Sequence, residues 1–282
     1  MCTTVDFCKE AWVPFGSRLW QALIEEAACI PVVRAALNRS YKREFDATRG
    51  SARIFYGIYR SFPEAIRDIP PGSPEGHDSE AVALRLAGGG QVRPSDYPIL
   101  FWLHKLLPDC RLLFDLGGGV GISYFGYRRL LEFPAGMTWL IDELPAVAAL
   151  GALSASTESD PALRYTSSID EIAHADILLA SGSLHLIENP FDLLRSAAAL
   201  PPHFLINKVP LVDRPAAVTL HNLGPAFCAY HLFNRAQFVD QVRSLGYELQ
   251  HEWATPDLSA RIPYFPEYRV PAYSGFYFRK AR

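Results

Sequence analysis

Apolar positions along the chain change their rhythm near residue 111. Before it they recur at helical spacing. Leu19, Trp20, Leu23, Ile24 and Ala27 form one stripe within 17–37, with Ser17 placed to cap its start and Pro31 to break or kink it. Residues 98–107 form a second apolar helix. Between them, 68–79 is rich in Pro, Gly and acidic residues and reads as a surface loop. The Gly88–Gly90 run lacks a preceding strand and a following Lys-Ser/Thr, so it reads as a flexible turn and not a phosphate loop.

From 111 onward, short apolar runs alternate with helical segments. Strands are predicted at 111–116, 138–141, 163–166, 176–180 and 203–207. Helices are predicted at 121–132, 145–154 and 190–200, with a short turn after Ser168. Such alternation predicts an α/β fold, with a parallel sheet covered by helices on both faces. The tail breaks the alternation. A helix at 234–245 leads to strands at 247–253 and 274–278, separated by a Pro- and Tyr-rich linker, which predicts an antiparallel edge.

Composition narrows the class. The 282 residues are 49% hydrophobic and 20% charged, enough for a sizeable core. A net charge of −3 lacks the basic signature of a dedicated nucleic-acid binder. The five cysteines are scattered with no CxxC pair, which argues against a disulfide framework or zinc ribbon and for a reduced, cytoplasmic setting. Asp6, Lys9 and Glu10 interrupt any apolar signal-peptide core. The most apolar stretch, 146–155, is short against the roughly 20 residues needed to cross a bilayer. No HxxxH pair or carboxylate triad at ligand spacing points to a metal.

The strongest motif is Phe114-Asp115-Leu116-Gly117-Gly118-Gly119-Val120-Gly121, which follows an apolar strand and opens a helix. Glycines there let the backbone turn sharply and approach a ligand. The spacing is not the dinucleotide GxGxxG. Counted from Gly117 or Gly119, the last position falls on Ile122 or Tyr124. What stands here is an acid followed by alternate glycines: Asp115, Gly117, Gly119 and Gly121.

That arrangement resembles motif I of class I S-adenosylmethionine-dependent methyltransferases. The resemblance implies a Rossmann-like seven-stranded sheet, mostly parallel with an antiparallel last strand, and a helical N-terminal extension. It implies S-adenosylmethionine as cofactor, with Asp115 and Gly117, Gly118, Gly119 and Gly121 under its methionine and ribose portion. A second acid at the end of the next strand would accept the ribose hydroxyls. Glu143, two residues before Pro145, is preferred to Asp142. Ser167 or Ser168 would lie beside the adenine, and Ser168 is equally a helix cap. Ser181 ends the fourth strand, where its edge would face the ligand. His185 follows, either as a general base or as a buried histidine bonding its surroundings. No Asn/Asp-Pro-Pro-Tyr motif is present, which argues against amino-methylating enzymes acting on adenine or glutamine.

Further segments, among them WLIDELPAVAALG, ILLASGSLHLIENP, FLINKVPL and YSGFYF, look like a bacterial family of methyltransferases associated with polysaccharide or secondary-metabolite genes. The resemblance covers about 95–280. That family more often has Gln at the position of His221 and Asp-Arg in place of Asn207-Lys208, departures on the substrate side. His221, Asn222, Tyr230 and His231 are expected in a loop lining the acceptor pocket, with His221 a second candidate base. Tyr124 is expected to face the same pocket. Phe227, Phe233, Tyr264, Phe265, Tyr268 and Tyr273 are expected as apolar walls or plain core.

The chain thus divides into a helical extension or cap, 1–107, and a cofactor domain, 108–282. The reaction expected is O-methylation of a hydroxyl or carboxylate on a small molecule, saccharide or natural-product intermediate. The N-terminal helices are a candidate homodimer surface. A non-catalytic cofactor-binding scaffold and an NAD-dependent oxidoreductase are the rivals, with a nucleic-acid methyltransferase third, which would show salt-dependent binding to RNA or DNA.

Overall fold

A computed structural model of the chain describes residue 24 and residues 26–48, 54–87, 91–158 and 161–281. Ser17, Leu19, Trp20, Leu23 and the Gly88–Gly90 turn lie outside the described residues. In chain order, the extension contributes α1 (Pro31–Ala47), β1 (Ile54–Tyr59), α2 (Phe62–Ile66), α3 (Glu80–Ala87) and α4 (Tyr97–Leu106). Next come β2 (Leu112–Leu116), α5 (Ile122–Tyr127), β3 (Thr138–Asp142), α6 (Pro145–Glu158), β4 (Leu163–Thr166), β5 (Ile177–Ser181) and α7 (Pro190–Ser196). The chain finishes with β6 (His203–Val209), β7 (Leu211–Val212), β8 (Ala217–Asn222), β9 (Phe227–Asn234), α8 (Arg235–Ser244), β10 (Tyr247–Thr255) and β11 (Tyr273–Lys280).

Seven strands form one sheet in the order β10-β11-β6-β5-β2-β3-β4. The five from β6 to β4 are parallel, and β11 runs antiparallel to both β6 and β10. This is the expected Rossmann-like seven-stranded sheet, mostly parallel, with the last strand antiparallel. Alternation along each strand explains its two cores. Phe114, Leu140, Leu178 and Phe204 pack on one face with Phe238 and Phe276. Leu113, Trp139, Leu179 and Leu205 pack on the other with Ile99, Leu103 and Tyr127. The order reverses between β2 and β5, so a ligand crevice is expected beyond the carboxyl end of β2.

A second sheet, in the order β1-β8-β9-β7, joins the extension to the chain after β6. Residues 217–234 are therefore a hairpin and not the expected loop. Their apolar positions are almost all buried on both sides of the strands, which hides the alternation that would reveal them. Pro31 opens α1 in place of kinking a longer helix, since its missing N–H is no loss in a first turn. Helix α5 is shorter than the predicted 121–132.

Candidate active site

The turn after β2 is built from left-handed glycines. Gly117, Gly119 and Gly121 have φ of 69°, 62° and 92°. Gly117 also lies close to β5's continuation, where an added Cβ would come within 2.5 Å of Ser183 Cβ. Ser183 Oγ donates to Leu116 O at 2.5 Å, and Gly117 N donates to Asp142 O at 2.8 Å, pinning the turn to both neighbouring strands.

Asp115 lies fully buried beneath this turn. Its Oδ2 accepts Trp139 Nε1–H at 3.0 Å, while its buried Oδ1 has no hydrogen-bond partner. An added Cβ at Gly118 would lie 2.6 Å from that carboxylate, so the turn wraps directly over it. Burial pushes the Asp115 carboxyl up to about 7, opposed by the Trp139 hydrogen bond. Glu143 comes to the same turn from the end of β3. Its Oε2 accepts Gly119 N–H and its Oε1 accepts Leu144 N–H, both at 2.9 Å. Burial raises its pKa, and these two bonds oppose the rise. Each oxygen retains a further lone pair. Asp142 is raised to about 6, by burial and by Glu143 and Glu171.

Ser181 ends β5 with a buried Oγ that has no hydrogen-bond partner. Ser167 and Ser168 are exposed after β4, and Ser168 caps no helix with its side chain. The three strand ends thus bring Asp115, the glycines, Glu143, Asp142 and Ser181 to one edge of the sheet.

The expected acceptor residues divide. His185, in a single turn after β5, packs its ring 4.3 Å from that of Tyr230. His221 meets Tyr230 edge-on at 5.3 Å and stacks on Phe55 at 4.7 Å. Tyr230 shares a 2.6 Å hydrogen bond with Tyr273 OH. Both candidate bases thus flank one tyrosine, and Phe55, from the extension, completes the cluster. Asn222 goes elsewhere. Its Nδ2 donates to Phe45 O at 2.8 Å and Thr48 O at 3.1 Å, and its Oδ1 accepts Gly224 N–H at 2.8 Å. It ties the end of α1 to the second sheet. His231 shares a 2.9 Å hydrogen bond with Glu188 O through Nε2 and stacks on Phe233, and burial lowers its pKa. Tyr124 is buried with its ring 5.7 Å from that of Trp139, in the core behind Asp115.

Trp139 and Ser183, which hold Asp115 and the turn, were not singled out by sequence reasoning. Their roles depend on strand pairing. A tryptophan inside an apolar strand gives no sign that its N–H needs a buried acceptor. Among the described residues, no three His, Cys, Asp or Glu side chains gather as a metal site, and no helix is long and apolar enough to cross a membrane.

No family model and no curated protein matches the chain. Several solved structures are similar in outline. A 1,6-didemethyltoxoflavin-N1-methyltransferase from Burkholderia thailandensis, bound to 1,6-didemethyltoxoflavin and S-adenosylhomocysteine, is 16% identical, with a TM-score of 0.47 over 76% of this chain and 95% of that one. The CcbJ methyltransferase from Streptomyces caelestis is 15% identical, with a TM-score of 0.44 over 69% of this chain and 98% of its own. An S-adenosylmethionine-dependent methyltransferase from Mesorhizobium loti is 16% identical, with a TM-score of 0.44 over 66% and 98%.

Proposed function

We propose that the chain is an S-adenosylmethionine-dependent methyltransferase acting on an oxygen, a hydroxyl or a carboxylate, of a small molecule. The observation that carries this reading is the buried Asp115 carboxylate, with one oxygen unpartnered, under a turn of left-handed glycines at the sheet's switch point. A buried carboxylate oxygen without a partner is costly and fits a cationic group that arrives with a ligand. Glu143, held by two backbone amides, fits a vicinal diol beside it. The residues present therefore fit the cofactor, which would supply an electrophilic methyl group.

The chain's own contribution is placement and proton handling. The glycine turn brings backbone close to the ligand without a Cβ in the way. His185 and His221 are the candidate bases for a hydroxyl acceptor, and a carboxylate acceptor needs none. The aromatic ring cluster around Tyr230 would exclude water from an apolar acceptor. Titration calorimetry with S-adenosylhomocysteine, with NADH as control, tests the reading. Micromolar binding of the former alone is expected. Tight NADH binding with no binding of S-adenosylhomocysteine would replace it with an oxidoreductase, and binding with no transfer to any acceptor would favour a scaffold.

A further inference from the structure

Four polar rings are buried where the two sheets meet. His185 comes from the turn after β5, His221 from β8, Tyr230 from β9 and Tyr273 from the start of β11. Phe55 of β1 closes the group, edge-on to Tyr230 at 5.1 Å. A polar ring in such a place needs a reason, because leucine or phenylalanine would pack there with no polar atom to satisfy. All five rings keep 4–6% of their surface accessible, whereas Leu232 and Val270 in the same apolar cluster keep none. The rings therefore reach accessible space that the aliphatic side chains do not. Contacts also join them to the glycine turn. Ser183 donates to Leu116 O and abuts Gly117, and His185, two residues on, packs against Tyr230.

The two tyrosines act as a unit. Their hydroxyl oxygens lie 2.6 Å apart, at the short end for such a bond. Two phenols carry two hydroxyl hydrogens and their mutual bond uses one, so the pair donates outward with the other. Hydrogen bonds in series polarise one another, and the apolar surroundings strengthen the effect. An outward donor of this kind suits an oxygen on which negative charge gathers.

We propose that the Tyr230–Tyr273 pair binds the reacting oxygen of the acceptor, and that the acceptor is a phenol. The inference rests on the methyltransferase reading above. The phenol O–H proton passes to an imidazole nitrogen of His185 or His221. This leaves an imidazolium and a phenolate, and the phenolate oxygen accepts the outward hydrogen bond of the pair. No charge is created or lost, and both ions stay within one ring cluster. Acid strength selects the class. A phenol, near 10, lies about 3–4 pKa units above an imidazole near 6.5, whereas a hydroxyl as weak as that of water lies about nine above it. The surroundings agree. Phe55, Phe265 and Tyr268 offer faces and edges to a flat ring, with Val212 and Leu232 beside them. A saccharide would bring several hydroxyls into this apolar lining and leave them short of partners.

The test uses para-nitrophenol, whose ionised form absorbs visible light, titrated against pH with the protein and S-adenosylhomocysteine present. Bound para-nitrophenol is expected to ionise at a pH about one unit or more below that of the free compound, a preference of about tenfold for the phenolate. Tyr230→Phe and Tyr273→Phe are each expected to lose this preference. Both are expected to bind para-nitroanisole, which cannot ionise, within about twofold of wild type. Should a single variant not fold, the Tyr230→Phe/Tyr273→Phe pair leaves no hydroxyl unsatisfied and gives the same comparison. The site is overturned by a preference that survives in the variants, by variants that lose para-nitroanisole as well, or by wild type that binds para-nitrophenol un-ionised or not at all. Calorimetry with S-adenosylhomocysteine runs beside it. Where that ligand binds, any of these results overturns the tyrosine site alone and leaves the cofactor reading standing. Wild type that does not bind it overturns the cofactor reading, and the acceptor role of the pair with it.

Discussion

Glu143 Oε2 accepts the backbone N–H of Gly119 at 2.9 Å, which ties the end of β3 to the middle of the glycine turn on β2. One carboxylate therefore shapes the turn, and in the proposed reading the same group would bind the ligand's diol. Asp142, one residue earlier, makes no such bond among the described contacts and faces Glu143 as a like charge.

This relationship separates the two acids by experiment. Glu143→Gln replaces an acceptor oxygen with an NH₂ donor, so one of the two backbone amides loses its partner. Affinity for S-adenosylhomocysteine is expected to fall about tenfold or more by calorimetry, because the variant loses a charge-assisted hydrogen bond that shapes the turn. Asp142→Asn is expected to leave affinity nearly unchanged. The reverse order would move the diol-binding role to Asp142.

Gly119→Val tests the turn itself. A β-branched residue at φ 62° is strained by about 1–3 kcal/mol. The folded protein is expected to survive with a lower thermal midpoint and to lose S-adenosylhomocysteine binding. Retained affinity in a folded variant would mean that the turn is only structural.

The large sheet was legible in the sequence because each of its strands is a short apolar run next to a recognisable turn or helix. The motif residues were legible because a glycine turn that needs left-handed backbone leaves few alternatives at Gly117, Gly119 and Gly121. The second sheet was not, because its pairing joins Ile54 to Asn222 and Phe55 to His221 across more than half the chain. The strand 54–59 has the aromatic and β-branched content of a strand, but no neighbour in sequence to pair with. For the same reason Asn222 read as a pocket residue, when its amide serves Phe45 and Thr48. The ion pair of Lys208 Nζ with Asp96 Oδ1, at 2.6 Å, spans 112 residues, and Pro-Ser-Asp at 94–96 looks locally like an ordinary turn.

Asn222→Ala is the stability control. It removes the hydrogen bonds to Phe45 O in α1 and to Thr48 O just after it, and an acceptor for Gly224 N–H, in a fully buried position. A loss of about 1–3 kcal/mol is expected from chemical denaturation. S-adenosylhomocysteine affinity is expected to hold, since these bonds anchor α1 and not the glycine turn. A selective loss of binding at unchanged stability would return Asn222 to the ligand site.

His185→Gln addresses the proton. With a hydroxyl acceptor, turnover is expected to drop about 10²–10⁴-fold while S-adenosylhomocysteine affinity stays the same. With a carboxylate acceptor, no such drop is expected. His221→Gln, measured in parallel, decides which of the two rings around Tyr230 takes the proton. Wild-type turnover in both variants on a hydroxyl acceptor would show that neither ring does.

Asp115 makes stability and binding respond to pH in opposite directions. Burial raises its carboxyl from 3.8 to about 7, with the Trp139 bond and Lys208 opposing. In the unfolded chain the carboxyl returns to its ordinary value. Between about pH 4 and 7 the unfolded state has therefore lost a proton that the native state retains, and stability falls as pH rises through that window. Asp142, raised to about 6, adds to the same fall. Asp115→Asn keeps an amide oxygen for Trp139 Nε1–H and removes the titrating group. Its thermal midpoint is expected to exceed that of wild type at about pH 8, with a shallower decline between about pH 4 and 7, by on the order of 4 kcal/mol across the window. Binding runs the other way, because a ligand ammonium favours the ionised carboxylate. Wild-type affinity for S-adenosylhomocysteine is expected to rise between about pH 6 and 8, and that of Asp115→Asn to be weak and flat. A wild-type affinity that does not change over this range would remove Asp115 from contact with the ammonium, whatever its effect on stability.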